Sequence, residues 1–409
     1  MKVPCYDCNT VTELEVGFEV VNFVCPACCS LYVKQDDGQF KRKSKYKPNK
    51  DGFAFAVGNK GFLKGKEYTV TGMMVKVVGR VHLWREYILT NATNEFVYLS
   101  EVNGHWIFLK EIEDKYDVKK HPRSLEYKED NFNLYEYCDA AIETAQGFFD
   151  FSLPNTWIHM VEYIRPPFMV SIEKMDNVET TYLGEYISKD EIRKAFPSSL
   201  LRYQTGVNVV QPFYFNLSNT AIIFCLFALL IISSNWYIYK DQIEQNVFSK
   251  EITFDRYNNK ELLSDSFELK GGSAPLTIWV STEVDNSWAN VDIALVDEKT
   301  NEETHANKDI EYYSGYEDGS SWTEGKQSEE FNICGVKGGK YHLLIKPQKA
   351  PEDVRNNVMK FKVVWNEPSN RNVWLVIIFM IVILVIIGFA RFNFEKRRWA
   401  DSSYSPYSE

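Results

Sequence analysis

Ala221-Ile-Ile-Phe-Cys-Leu-Phe-Ala-Leu-Leu-Ile-Ile232 is a run of twelve apolar residues, preceded by Phe213, Tyr214 and Phe215 and followed by Trp236, Tyr237 and Tyr239. An apolar stretch with aromatic residues at both ends fits a helix that crosses a bilayer, because the rings settle at the headgroup level. A second stretch, Val373 to Ala390, has 18 residues and no charge. As a helix it extends about 27 Å, close to the thickness of the hydrocarbon core. Spans at 213–239 and 373–390 divide the chain into soluble modules on opposite faces of a membrane.

Orientation follows from the basic residues beside the spans. Arg391, Lys396, Arg397 and Arg398 follow the second run, whereas Arg371 alone stands in the ten positions before it. Basic residues stay in the cytoplasm, so the tail 391–409 is expected there and two spans return the N-terminal module to the same side. The opening Met1 to Thr10 lacks the apolar core of a signal peptide. Residues 240–372 are then extracytoplasmic, and their 16 basic and 24 acidic residues give −8 of the total −10. An acidic outer module argues against docking on anionic lipid or nucleic acid.

Cysteine spacing carries the sharpest chemical signal. Cys5, Cys8, Cys25 and Cys28 form two C-x2-C pairs sixteen residues apart, the spacing of two knuckles converging on Zn²⁺. Four thiolates complete a tetrahedral shell and leave no position for water, so the expected metal is structural. Cys29 makes the register of the last ligand ambiguous. A redox C-x2-C pair is the rival reading, disfavoured because no βαβ pattern surrounds it. Only Cys334 falls in the outer segment, which therefore has no internal disulfide. The ribbon is placed at 1–38. A basic stretch, Lys41-Arg42-Lys43-Ser44-Lys45-Tyr46-Lys47-Pro48-Asn49-Lys50, lies in an expected solvated linker at 39–56. Such a stretch can also meet phosphates, which leaves a nucleic-acid tether as a less favoured function.

Residues 57–197 show short β-prone runs punctuated by turns, which predicts a small barrel or sandwich. Two sets of runs echo one another. Trp84-Arg-Glu-Tyr87 and Tyr98-Leu-Ser-Glu101 recur as Glu162-Tyr163 after Trp157 and as Tyr182-Leu-Gly-Glu185. Ser188 with Glu191 predicts a capping box and a short helix before Pro197. The residues Gly58-Asn-Lys-Gly61, Gly65-Lys-Glu-Tyr68-Thr-Val-Thr-Gly72, Trp84-Arg-Glu-Tyr87, Gly104-His-Trp106, Tyr163-Ile-Arg-Pro166-Pro167 and Gly184-Glu-Tyr-Ile187 resemble the bacterial domain of unknown function 4178. That resemblance implies a bacterial inner-membrane protein with an N-terminal zinc ribbon and membrane segments. It brings no catalytic residues. His82, Glu86, Glu101, His105 and His159 are the candidates for acid–base work, and an enzyme in this module would need His82, Glu86 and His105 to share a cleft.

Residues 245–368 alternate at the spacing of an antiparallel, jelly-roll-like β-sandwich. Short connections to the spans require its first and last strands to be neighbours. Its longest connection, Tyr312 to Gly325, gathers Tyr312, Tyr313, Tyr316 and Trp322 with Glu317, Asp318 and Glu324. Exposed rings there can receive a partner or a sugar, and the acids can take Ca²⁺. The competing reading is a hairpin whose rings cover the sheet. The sequence as a whole predicts a multidomain, mainly β membrane protein with two transmembrane helices. The leading function is a scaffold or sensor-like binding protein with protein partners in cytoplasm and envelope; an enzyme or enzyme accessory is the alternative.

Overall fold

A computed structural model describes every residue except 80, 118, 176, 177, 198, 241–243, 318, 368, 369, 408 and 409. It separates into two compact units, Met1–Leu217 with Val385–Glu409, and Ser218–Leu384.

The first unit is built around a closed barrel of eight antiparallel strands: β1 (Lys66–Val78), β2 (His82–Thr90), β3 (Phe96–Val102), β4 (His105–Ile112), β5 (Asp130–Phe149), β6 (Ile158–Arg165), β7 (Phe168–Met175) and β8 (Val178–Ile187). Consecutive strands pair within β1–β4 and within β5–β8, making two meanders. β4 pairs with β8. β5 closes the ring by leaving β6 after Ala140 and pairing with β1 from Ala141, and its register shifts once against each partner. Such bulges let one long strand bend round a corner. Gly147 makes the close approach possible, since a Cβ there would stand 2.3 Å from the Thr71 carbonyl oxygen.

The sequence echo is half matched by this geometry. Glu86-Tyr87 and Glu162-Tyr163 occupy the second strands of their meanders, β2 and β6. Tyr98-Leu-Ser-Glu lies on the third strand of its meander but Tyr182-Leu-Gly-Glu on the fourth, so those two are not equivalent positions. Outside the ring, Tyr87 packs with Phe55, Trp106 and Phe196, and Tyr163 packs with Phe132, Leu134 and Val170. Helix α1 (Lys189–Ala195) covers the first of these cores and begins with the expected Ser188–Glu191 capping box.

The stretch read as a solvated linker is partly a strand. Phe40–Lys45 pairs with Ser30–Lys34, which pairs with Asn22–Val24, and the latter joins the far end of β5 at Gly147–Phe149. Alternating Phe40, Arg42 and Ser44 suits an edge strand whose charges keep other strands away. The ribbon is thereby continuous with the barrel sheet instead of hanging free.

The second unit holds a β-sandwich. One sheet runs β9 (Gln245–Thr253), β16 (Val358–Trp365), β10 (Ala274–Thr282), β14 (Ser328–Val336); the other contains β15 (Gly339–Lys349), β11 (Ser287–Asp297), β12 (Glu303–Glu317) and β13 (Ser320–Gly325). Their inner faces share a core that includes Leu276, Ile278, Val291, Ile293, Leu343 and Val363. First and last strands pair, with Gln245 opposite Trp365, so both ends leave from one end of the sandwich.

Two helices are long and apolar enough to cross a membrane: α2 (Leu217–Tyr239) and α3 (Arg371–Arg398). No residue of α2 is buried, unlike a core helix of a soluble domain. The second helix extends past the expected limit at Ala390 by two turns, to Arg398, because nothing between Arg391 and Arg398 breaks a helix. Asn235 of α2 donates to Asn370, just before α3, at 2.8 Å.

Candidate functional site: a four-cysteine centre and an acidic barrel interior

The thiols of Cys5, Cys8, Cys25 and Cys28 lie within 4.8 Å of one another. The Cys5–Cys28 and Cys8–Cys25 sulfur separations are 3.5 and 3.7 Å, close to the ~3.8 Å edge of a tetrahedron with ~2.3 Å metal–sulfur bonds. The two knuckles have the same backbone. The residue after each second cysteine, Asn9 and Cys29, has φ near 60° and donates its N–H to the first cysteine's carbonyl at 2.8 Å. Cys29 therefore holds the turn that Asn9 holds in the first knuckle, and its sulfur meets Gln146 instead of the cluster. Thr10, 3.4 Å from Cys8, draws that thiol down to about 6, while burial pushes Cys25 up to about 12. Tyr32 lies 3.3 Å from Cys5 and accepts the N–H groups of Tyr6 and Asp7. This donor set fits a thiophilic cation.

The acid–base candidates do not converge. His105 is buried beside Tyr186 and Gln204, each 3.3 Å from Nδ1, and burial holds it below its ordinary value. Glu101 is spent on Arg85 at 3.0 Å and on the Gly104 N–H. His159 meets Asp139 at 2.5 Å on the surface. His82 is exposed at the start of β2, whereas Glu86 points inward and accepts from Trp84 Nε1 at 2.7 Å.

Glu86 belongs to an interior group that the sequence reading passed over. Lys76 of β1 lies 2.9 Å from Glu86 and 2.7 Å from Glu173 of β7, with 3% of its side chain exposed. Burial alone would lower its pKa, but the two carboxylates hold it above the ordinary lysine value. The signal was present: Lys76 and Glu162 are each flanked by apolar or aromatic residues and Glu173 follows the apolar Ile172, all three at positions whose alternation points into the ring. On either side of this ion group the barrel interior opens. One cavity of about 380 Å³ is lined by Lys76, Tyr98, Glu111, Glu173 and Tyr182. The other, about 480 Å³, is lined by Trp84, Ile107, Glu136, Tyr137 and Glu162, and by Val209 and Asp401 from the segments flanking the helices. Eight-stranded barrels are wide enough to hold one small ligand.

Residues 56–189 match the family profile of DUF4178, a domain of unknown function. The match spans the barrel from its lead-in to the first residue of α1 and leaves the ribbon, helices and sandwich outside. No curated protein matches the chain. Solved structures that align include infectious bursal disease virus Gt strain, at 8% identity and TM-score 0.18 over 86% of this chain and 66% of that one. Trypanosoma rangeli sialidase in complex with sialic acid aligns at 7% identity and TM-score 0.12, over 91% of this chain and 95% of that one. Likeness at that level is too slight to bear on the barrel or the sandwich.

In the second unit, residues 312–317 of β12 pair with residues 320–325 of β13 as the two arms of a β-hairpin. Its rings divide: Tyr312 packs against the sandwich core and Tyr313 is half-buried, whereas Tyr316 is 76% and Trp322 42% exposed. Trp322 lies across Gly315, where a Cβ would meet the indole at 2.6 Å. Glu317 is opposite Ser320 and Glu324 opposite Tyr313, four strand positions and roughly 13 Å apart, so they cannot share one Ca²⁺. Asp318 lies outside the described residues.

Proposed function

We propose that the chain is a two-pass inner-membrane binding protein that connects an extracytoplasmic partner, met by the hairpin of the sandwich, to a cytoplasmic module made of a structural zinc ribbon and the barrel. The N- and C-termini are cytoplasmic in this reading. Cys5, Cys8, Cys25 and Cys28 hold Zn²⁺, which fixes the ribbon against the barrel and supplies no open coordination position.

The observation that carries the proposal is the buried guanidinium of Arg398, at the end of α3. It donates to the carbonyls of Val209 at 2.9 Å and Gln211 at 2.7 Å, in the segment that leads into α2, and to Glu395. The barrel residue Tyr135 donates to the Arg398 carbonyl at 3.0 Å, and Ser403 donates its N–H to Glu136 at 2.8 Å. One residue, through its side chain and its carbonyl, therefore ties the chain entering the first helix, the chain leaving the second and the barrel wall together. A plain membrane anchor has no need of such a clamp; a protein that passes strain between its helices and a cytoplasmic module does. Crosslinking in intact membranes followed by affinity purification tests this reading. Recovery of one defined envelope protein, lost when Trp322 is replaced by Ala, supports it; a chain that crosslinks to nothing on either side overturns it.

A further inference from the structure

We propose that the 480 Å³ barrel chamber beside the C-terminal tail binds a small organic ammonium compound with an apolar body, its cationic head seated between Glu136 and Glu162. This assignment rests on the binding-protein reading and supplies a ligand class for its cytoplasmic module.

Glu136 and Glu162 stand directly opposite one another on β5 and β6. Two like charges in that relation destabilise the sheet, and a cation seated between them relieves the repulsion when both are ionised. The barrel's own interior cation is unavailable, because Lys76 is shared by Glu86 and Glu173. Among the described residues Glu136 accepts backbone N–H groups alone, from Tyr137 and Ser403, and none forms a hydrogen bond or ion pair with Glu162. Asn208, 3% exposed on the same wall, leaves its Nδ2 without a partner and offers a donor to an oxygen on the ligand.

The rest of the wall selects the class of cation. Trp84, Ile107 and Val209 suit an apolar or aromatic body, and the Trp84 ring favours a nearby positive charge. A bare divalent ion is a poorer occupant: among the described residues, only the four cysteines gather at metal-ligand spacing. The volume lies within the usual range for small-molecule sites.

Protonation provides an independent handle. Burial, then Glu173, Glu136 and Glu86, push Glu162 up to about 7 against the pull of Lys76. His82, Asp139 and Asp401 also line the chamber. An ammonium head needs the ionised carboxylate, and an acid of pKa about 7 goes from about one-tenth to nine-tenths ionised between pH 6 and pH 8, so binding tightens about tenfold over that interval.

The test is calorimetric titration of the full-length chain in detergent micelles with phenethylammonium and with phenethyl alcohol, its neutral counterpart. The ammonium is expected to bind at least tenfold more tightly than the alcohol, more tightly at pH 8 than at pH 6, and at least tenfold more weakly to Glu162→Gln. Glu111→Gln, in the other cavity, leaves the affinity unchanged. Equal affinity for the alcohol, no ammonium binding, or full affinity in a folded Glu162→Gln variant overturns the proposal. Should that variant not fold, a pH-independent affinity in the unaltered chain overturns it equally. Crosslinking to an envelope partner does not depend on the chamber, so failure here and failure of the wider reading are separate results.

Discussion

Glu162 is a carboxyl group that the fold holds against its chemical preference, and its stability effect has a definite sign. Its pKa is raised in the folded chain, so the folded state keeps a proton that the unfolded chain gives up near 4.5. Stability is therefore undiminished below about pH 4.5 and is lost as pH rises toward 7; a shift of this size corresponds to at most about 3 kcal/mol. Glu162→Gln is expected to raise the unfolding temperature at pH 8 and to leave it nearly unchanged at pH 4.5, as read by circular dichroism; an equal change at both values would remove the carboxyl as the cause. At the ribbon, elemental analysis is expected to find one equivalent of zinc in the unaltered chain and none in Cys5→Ser, which is also expected to loosen the Phe23–Phe148 contact that joins ribbon and barrel. The four-cysteine cluster was legible because knuckle spacing is local. The Cys29 ambiguity was not, since only the φ it shares with Asn9 shows that it holds a turn. The interior charges were equally hidden: Lys76 meets Glu173 across 97 residues of sequence.

At the scale of elements, short strands bounded by glycine and asparagine could be read directly, whereas the long β5 could not. Its stretch from Asp130 to Gln146 has too much Ala, Asn and Glu to stand out as a strand, and what makes the strand is pairing with four different partners. Barrel closure rests on that strand, which is why the sequence left barrel and sandwich open as alternatives. The β12–β13 hairpin is a second case. Aromatic residues alternating with Ser and Gly do not tell exposed rings from covered ones, and the 42% exposure of Trp322 decides it. Trp322→Ala is therefore expected to cost the sandwich no more than about 1 kcal/mol, well under the ~3–5 kcal/mol of a truncated core aromatic, while abolishing partner capture. Differential scanning calorimetry beside the crosslinking assay compares the two, and a loss of stability in the core range would show the ring to be part of the fold. Arg398 belongs at this scale too, since it ends one helix and holds the approach to another. Arg398→Lys keeps the charge but not the forked donors. It is expected to expose the 399–407 segment to protease several-fold faster, and an unchanged cleavage rate would mean that the carbonyl contacts do not hold the tail.

For the molecule as a whole, both units place their connections to the helices economically. The pairing of Gln245 with Trp365 brings the sandwich's entry and exit together, as two helices at its base require. In the other unit, Arg398 does the same for Gln211 and the end of α3. In the proposed two-pass reading the Arg398 contacts require an even number of crossings between Gln211 and the tail, since an odd number would part residues that hydrogen-bond to each other. Which side is inside then depends on charge. Lys396, Arg397 and Arg398 crowd one end of α3, and the two units differ in acidity, −8 falling within residues 240–372. Basic residues are retained in the cytoplasm far more strongly than acidic ones are expelled, so the tail governs the outcome. Reporters active only in the cytoplasm, fused after Gln204 and at the C-terminus, are expected to give signal, and one inserted at Lys299 in the exposed β11–β12 turn is expected to give none. Signal at Lys299 with silence at the other two would invert the protein, placing the four thiols in an oxidising compartment, where disulfides would compete with the metal. Signal at Gln204 without signal at the C-terminus would be incompatible with the Arg398 contacts, and would show that one of the two apolar helices does not cross.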